Sequence, residues 1–134
     1  MLHFLDLAHS ACFNDYEARL ACDRTGRSLD DLAGRLEALI VTRGAEGSHI
    51  YAGGRRIDIP CAPARAVVDP TGCGDAYRAG LLYGIARNWE WERTGRLASV
   101  MGAIKVASRG GQNHGASRGE IADCFAAAFG EAPW

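Results

Sequence analysis

No apolar run in this 134-residue chain approaches the roughly 18 residues that a membrane span needs. The chain also lacks a dominant charge. Lys and Arg total 15 against 16 for Asp and Glu, a formal net charge of −1, which argues against a protein built to grip a polyanion. Met1 to Leu7 carry an acid and a histidine instead of a basic flank, so no secretory signal is expected. The five cysteines (Cys12, Cys22, Cys61, Cys73, Cys124) are odd in number and show no C-x-x-C spacing. The histidines (His3, His9, His49, His114) form no H-x₃-H or H-E-x-x-H cluster. A disulfide framework and a structural zinc are thereby disfavoured. The expectation is a reduced, cytoplasmic protein with no nucleic-acid or membrane partner. Internal repeats, low-complexity stretches and a second-domain boundary are absent too, so residues 1–134 read as a single domain.

What is present is a globular mix, 48% hydrophobic and 23% charged. Leu2 to Ala8 suits a short helix and Ser10 to Phe13 a buried strand. Asn14 followed by Glu17 reads as a capping box opening a helix to about Asp23, which Thr25-Gly26 breaks. Ser28 opens another helix, with Asp30 and Asp31 where the dipole favours acids. Ala38 to Thr42 is a continuous apolar run, typical of a strand buried on both faces. Arg43 to Gly47 is a turn. Gly53-Gly54 between Ser48–Ala52 and Arg55–Ile59 is a two-residue hairpin signal. Ala66 to Val68 reads as one more short strand. Helices are expected from Gly74 to about Arg87 and from near Trp91 to about Ser108. On the second, Leu97, Val100, Met101, Ile104 and Ala107 mark the core face, and Gly110-Gly111 close it. Ser117 and Glu120 form another capping box before a helix ending near Phe129. Alternating strands and helices mean an α/β fold with a mostly parallel sheet.

Chemistry concentrates in Asp69-Pro-Thr-Gly-Cys-Gly-Asp75, which a strand is expected to deliver and a helix to leave. Gly72 and Gly74 permit tight turning and leave backbone N–H groups unshielded at a helix N-terminus, a nest suited to an anion. Asp75, in the first helical turn, is placed to accept a hydroxyl proton, work worth roughly 10²–10⁴ in rate. The letters match neither G-x-x-x-x-G-K-[ST] nor G-x-G-x-x-G. A glycine-rich turn of this kind also occurs without chemistry. The Asn14–Glu17 pair is fully explained as a cap, Thr42 to Gly47 as an ordinary turn, and Asp69 as a partner for local backbone donors. Cys73 is either a reactive thiol at a helix N-terminus or a tolerated small residue. Tyr83, Trp89 and Trp91 read as core or rim.

The segment Asp69-Pro-Thr-Gly-Cys-Gly-Asp-Ala-Tyr-Arg-Ala-Gly80 resembles the second signature of the PfkB/ribokinase family of sugar and nucleoside kinases. Two further matches stand upstream in the family's order. Asn14-Asp-Tyr-Glu17 is similar to its N-x-x-E motif, and Thr42-Arg-Gly-Ala-Glu-Gly47 to its T-x-G-x-x-G turn. The resemblance runs from about Phe13 to Gly115 and implies a ribokinase-like, partial Rossmann-like fold. It implies Asp75 as catalytic base and Gly72, Cys73 and Gly74 as the anion hole for the γ-phosphoryl group. It puts Asn14 and Glu17 near magnesium and its water, and Thr42, Gly44 and Gly47 at the nucleotide. Asp69 and Thr71 match positions that hold an activating monovalent cation, K⁺, in many members. ATP and Mg²⁺ are the implied cofactors, and a sugar or nucleoside the substrate. Arg78, Arg96 to Ser99 and Gly111-Gln112 look like bacterial adenosine-kinase-like members, which favours adenosine.

Members of that family resemble a chain about twice this long, and their N-terminal substrate motif and lid have no counterpart here. The chain is therefore expected to be the C-terminal nucleotide-binding half, with a homo-oligomer or a complementing N-terminal half as partner. Two further expectations stand beside an active kinase: a truncated nucleotide-binding module without catalysis, and a remnant that neither folds stably nor binds.

Overall fold

Local signals set most of the element ends. Asn14 closes β1 (Ser10–Asn14) and caps α2 (Asp15–Thr25), with its side chain and that of Glu17 bonded reciprocally to each other's backbone N–H. Gly26 ends α2 in the left-handed conformation, φ 65°. Ser28 caps α3 (Leu29–Ala33), and α1 (Leu2–Leu7) precedes them all. The hairpin of β3 (Ser48–Ala52) and β4 (Arg55–Ile59) turns at Gly53 and Gly54, where φ is 60° and 76°. Positive φ at both central residues is the turn whose twist matches the flanking strands. Ser117 and Glu120 form the expected capping box at the start of α6 (Arg118–Phe129). Its hydrogen bonds from Ser117 hold the Glu120 carboxyl below its ordinary value.

The computed structural model describes residues 1–108 and 115–134, which form two compact units, Met1–Ile59 and Pro60–Trp134. The closing glycines Gly110-Gly111, and Gln112 beside them, lie outside the described residues.

The first unit holds a four-stranded sheet in the order β1-β2-β3-β4, where β2 is Ala38–Thr42. β1 pairs parallel with β2, in register from Ser10 opposite Ala38 to Asn14 opposite Thr42. β2–β3 and β3–β4 are antiparallel. The α/β class stands, but the sheet is mixed instead of mostly parallel. After β2 the chain returns through a 3₁₀ turn (Gly44–Glu46) and a tight hairpin, and such short connections join only antiparallel strands. Leu39 and Val41 form one core with Leu5, Ala18, Ala21 and Leu32 from the three helices. Ile40 and Ile50 alternate with them along the strands and are equally buried.

The second unit is helical: α4 (Cys73–Ala86), α5 (Trp91–Val106) and α6. Ala66 to Val68 is not a strand. The N–H groups of Val68 and Asp69 both donate to the Val106 carbonyl, at 2.9 and 3.1 Å, so they enter no ladder. Val67 is 80% exposed. α5 packs on two sides. Leu97 and Val100 meet Phe125 of α6, with Met101 and Ile104 against them, which is the expected core face. Thr94 and Ala98 meet α4, where a Cβ on Gly80 would fall 2.6 Å from Ala98 Cα and one on Gly84 would collide with the Thr94 side chain. Only glycine at 80 lets the two backbones approach so closely.

Candidate active site

The loop before α4 is shaped by its own backbone. The Asp69 carboxylate accepts from the Thr71 N–H at 2.9 Å, and the Cys73 N–H donates to the Pro70 carbonyl at 3.1 Å. Gly72 then takes φ 80° and becomes the N-cap of α4, with no side chain bonded to the N-terminal turn. This local conformation requires glycine, because a side chain there would strain the left-handed backbone. Beyond Cys73, the N–H groups of Gly74 and Asp75 begin the helix without a side-chain cap, so the dipole's positive end meets solvent. Such an arrangement receives an anion.

Asp75 projects from that first turn with a side chain 85% exposed. One carboxylate oxygen pairs with the Arg78 guanidinium at 3.0 Å. The same guanidinium passes over Gly74, 3.7 Å from where a Cβ would stand. Arg78 therefore adds positive charge beside the nest. The sequence singled it out only as a sub-family feature, although i, i+3 spacing from Asp75 was a readable sign. Burial pushes the Cys73 thiol up. The Lys105 charge opposes that shift and the Asp69 charge adds to it. Of the two readings of Cys73, the reactive thiol is disfavoured, because a thiol pushed up in this way is less often ionised.

A cavity of about 440 Å³ opens in the same unit between the 62–66 segment, the last two turns of α5 and the start of α6. Ala62, Val100 and Ile104 give it apolar walls, and Arg65, Ser108 and Glu120 give it polar edges. Its volume falls within the range of small-molecule sites. Sequence patterning missed this site, since nothing in the spacing of these residues joins three separate segments.

The remaining candidates lie in the first unit. Asn14 Oδ1 accepts from the Glu17 N–H at 2.7 Å, and Glu17 Oε2 accepts from the Asn14 N–H at 2.9 Å. Capping thus occupies one oxygen of each, leaving Glu17 Oε1 without a role in the box. Thr42 ends β2 and reaches the Phe13 carbonyl at 3.4 Å. Gly44 (φ 58°) and Gly47 (φ 89°) bracket the turn, which the Arg43 N–H closes onto the Gly47 carbonyl at 2.8 Å. Arg43 also pairs with Glu46 at 2.6 Å and contacts His49 at 3.2 Å. Among the described residues, no group of three or more His, Cys, Asp or Glu is arranged to hold a metal, and no helix is long and apolar enough to cross a membrane.

A strand-and-helix chain with an open helix N-terminus behind a glycine turn and an acid in the first turn shares these features with the class of α/β proteins that bind anions at such a turn. Comparison with known proteins narrows the class. The model of the pfkB family of carbohydrate kinases matches residues 1–117. The chain belongs to that family. It is 48% identical to the Burkholderia thailandensis nucleoside kinase solved in complex with inosine, at a TM-score of 0.96 over 98% of this chain and 44% of that one. A Methanocaldococcus jannaschii nucleoside kinase is 34% identical over 85% of this chain and 38% of its own length. The solved structure of the nucleoside kinase of that name and organism aligns at a TM-score of 0.88 with 31% identity, over 92% of this chain and 42% of that one. The chain thus spans about two fifths of the length of these relatives.

Proposed function

We propose that this chain carries the ATP-binding and proton-accepting part of a kinase that moves the γ-phosphoryl group of ATP to a hydroxyl of a sugar or nucleoside. The observation that carries the reading is the uncapped N-terminus of α4 behind Gly72, with Asp75 in its first turn. The cavity beside the last turns of α5 supports it, because an adenine base would suit those walls. A purine nucleoside of the adenosine or inosine kind is the favoured acceptor, supported by the 48% identical kinase whose structure holds inosine.

Phosphoryl transfer asks for positioning and charge stabilisation more than covalent catalysis. Of the 72–74 anion hole, the N–H groups of Gly72 and Gly74 receive the γ-phosphoryl oxygens as charge spreads over them, and that of Cys73 joins them only on leaving the Pro70 carbonyl. Asp75 accepts the acceptor's hydroxyl proton. The freed oxygen bonds to the γ-phosphorus, the bond from that phosphorus to the bridging oxygen breaks, and ADP leaves with the electron pair. Arg78 would swing off the carboxylate towards the phosphates. Thr42, Gly44 and Gly47 are assigned to the nucleotide. Asn14 and Glu17 are assigned to magnesium reached through water, since Glu17 Oε1 is not used by the cap and magnesium keeps several waters. Magnesium, when bound, neutralises developing phosphate charge. Asp69 and Thr71 offer oxygen donors of the kind a K⁺ ion takes.

Calorimetry with Mg·ATP tests the reading. Wild type is expected to bind, Gly74→Val to lose binding, and Asp75→Asn to retain it. A well-folded wild type that binds no Mg·ATP would sink the proposal. The coverage of only two fifths of the relatives favours a second reading: the chain binds nucleotide and transfers nothing. ATP binding without acceptor-dependent ADP release would select it.

A further inference from the structure

Lys105 is fully buried. A buried ammonium costs several kcal/mol of lost hydration unless its surroundings compensate, and Lys105 does have an interaction partner there. It sits in the last turn of α5, where the helix dipole favours a cation. Its neighbours on α5 touch both ends of the candidate loop. A Cβ on Gly102, one turn earlier, would stand 3.8 Å from the Cys73 carbonyl oxygen. Val106, one residue later, accepts the N–H groups of Val68 and Asp69. Residues three apart share a helix face, so Lys105 and Gly102 address the same segment.

We propose that Lys105 is a positioning residue for this loop: a buried, fixed positive charge under residues 69–73 that gives the segment its capacity to receive an anion. That the anion is a phosphoryl group rests on the kinase reading above; the charge itself does not. A preorganised charge in a poorly hydrated place acts more strongly on a ligand than one in water.

Iodoacetate and iodoacetamide attack the same thiolate, so the ratio of their rates at one pH reports local potential and not the fraction ionised. In the full chain, residue-resolved mass spectrometry gives this ratio at Cys73, with exposed Cys61 as internal reference. Lys105→Met is expected to lower the Cys73 ratio about threefold or more and leave Cys61 unchanged. Lys105→Arg keeps the charge and should stay near wild type. An unchanged ratio in Lys105→Met overturns the proposal, and so does an equal fall in both variants, which would mark shape instead of charge. Should Lys105→Met not fold, the wild type still decides: its ratio must be higher at Cys73 than at Cys61, and an equal or lower value overturns the proposal. A Mg·ATP titration separates the two readings. Binding that Lys105→Met weakens about tenfold and Lys105→Arg restores supports both. A wild type that binds no ATP, with a Cys73 ratio that still falls in Lys105→Met, removes the kinase reading and leaves the charge of Lys105 in place.

Discussion

The two units use their motif residues in opposite ways. In the first, the polar atoms of Asn14 and Glu17 are taken up by a cap, and Arg43, Glu46 and His49 tie down the turn that Gly44 and Gly47 bracket. In the second, Gly72 brings a helix N-terminus to solvent without a side-chain cap, and Asp75 stays largely exposed. One region uses its hydrogen-bonding capacity on itself, and the other leaves a helix N-terminus without a side-chain cap. Substitutions should therefore act on stability in the first unit, and at the loop on activity.

Four experiments would break or sharpen that contrast. The largest effect is expected from Asp75→Asn. If the chain transfers phosphate, acceptor-dependent turnover should fall by about 10²–10⁴. The melting temperature should hardly move, since the side chain is exposed. Turnover equal to wild type would remove Asp75 from the role of base. Next comes Gly80→Ala, which forces a methyl against the backbone at Ala98. Urea unfolding should show a loss of about 1–3 kcal/mol, typical of overpacking. A neutral result would mean that α4 and α5 can separate at little cost. Asn14→Ala should cost about 0.5–2 kcal/mol through the lost cap. Should it also weaken magnesium dependence with Mg·ATP, Asn14 has a second task beyond its cap.

The smallest effect concerns pH. Burial first, then the Arg56 charge, pushes the His49 imidazole below its ordinary value of 6.5, while Asp58 pulls the other way and Arg43 and Glu46 add smaller, opposed contributions. The folded chain then binds fewer protons than the unfolded one. This stabilisation is complete above pH 6.5 and is lost as pH falls through the lower, folded-state value. His49→Gln should flatten melting temperature against pH between that lower value and 6.5. An unchanged slope would assign it to other groups.

Elements defined by neighbours along the chain were legible in the sequence. Both capping boxes, the Gly53-Gly54 hairpin and the buried β2 run stand where their residues put them, because each depends on contacts within a few positions. Ala66 to Val68 misled because a β-prone triplet becomes a strand only beside a partner, and here its end bonds a helix carbonyl. α5 was half legible. Its stripe from Leu97 to Ile104 was read as core, but the face holding Thr94, Ala98 and Lys105 is buried too. A polar residue at helical spacing reads as solvent-facing until a second helix is known to cover it. Of the candidate site, the loop letters were readable one by one. The cavity and Lys105 were not, since they depend on segments brought together only by folding.

The two amides that converge on Val106 make that carbonyl a clasp between a loop and the end of a helix. Neither can open without disturbing the other. Fraying of the last turn of α5 would release Val68 and Asp69 to exchange their amide hydrogens with water at the same moment. A ligand that stills the loop should therefore slow exchange at the helix end as well, and the motion of either can be timed from the protons of the other.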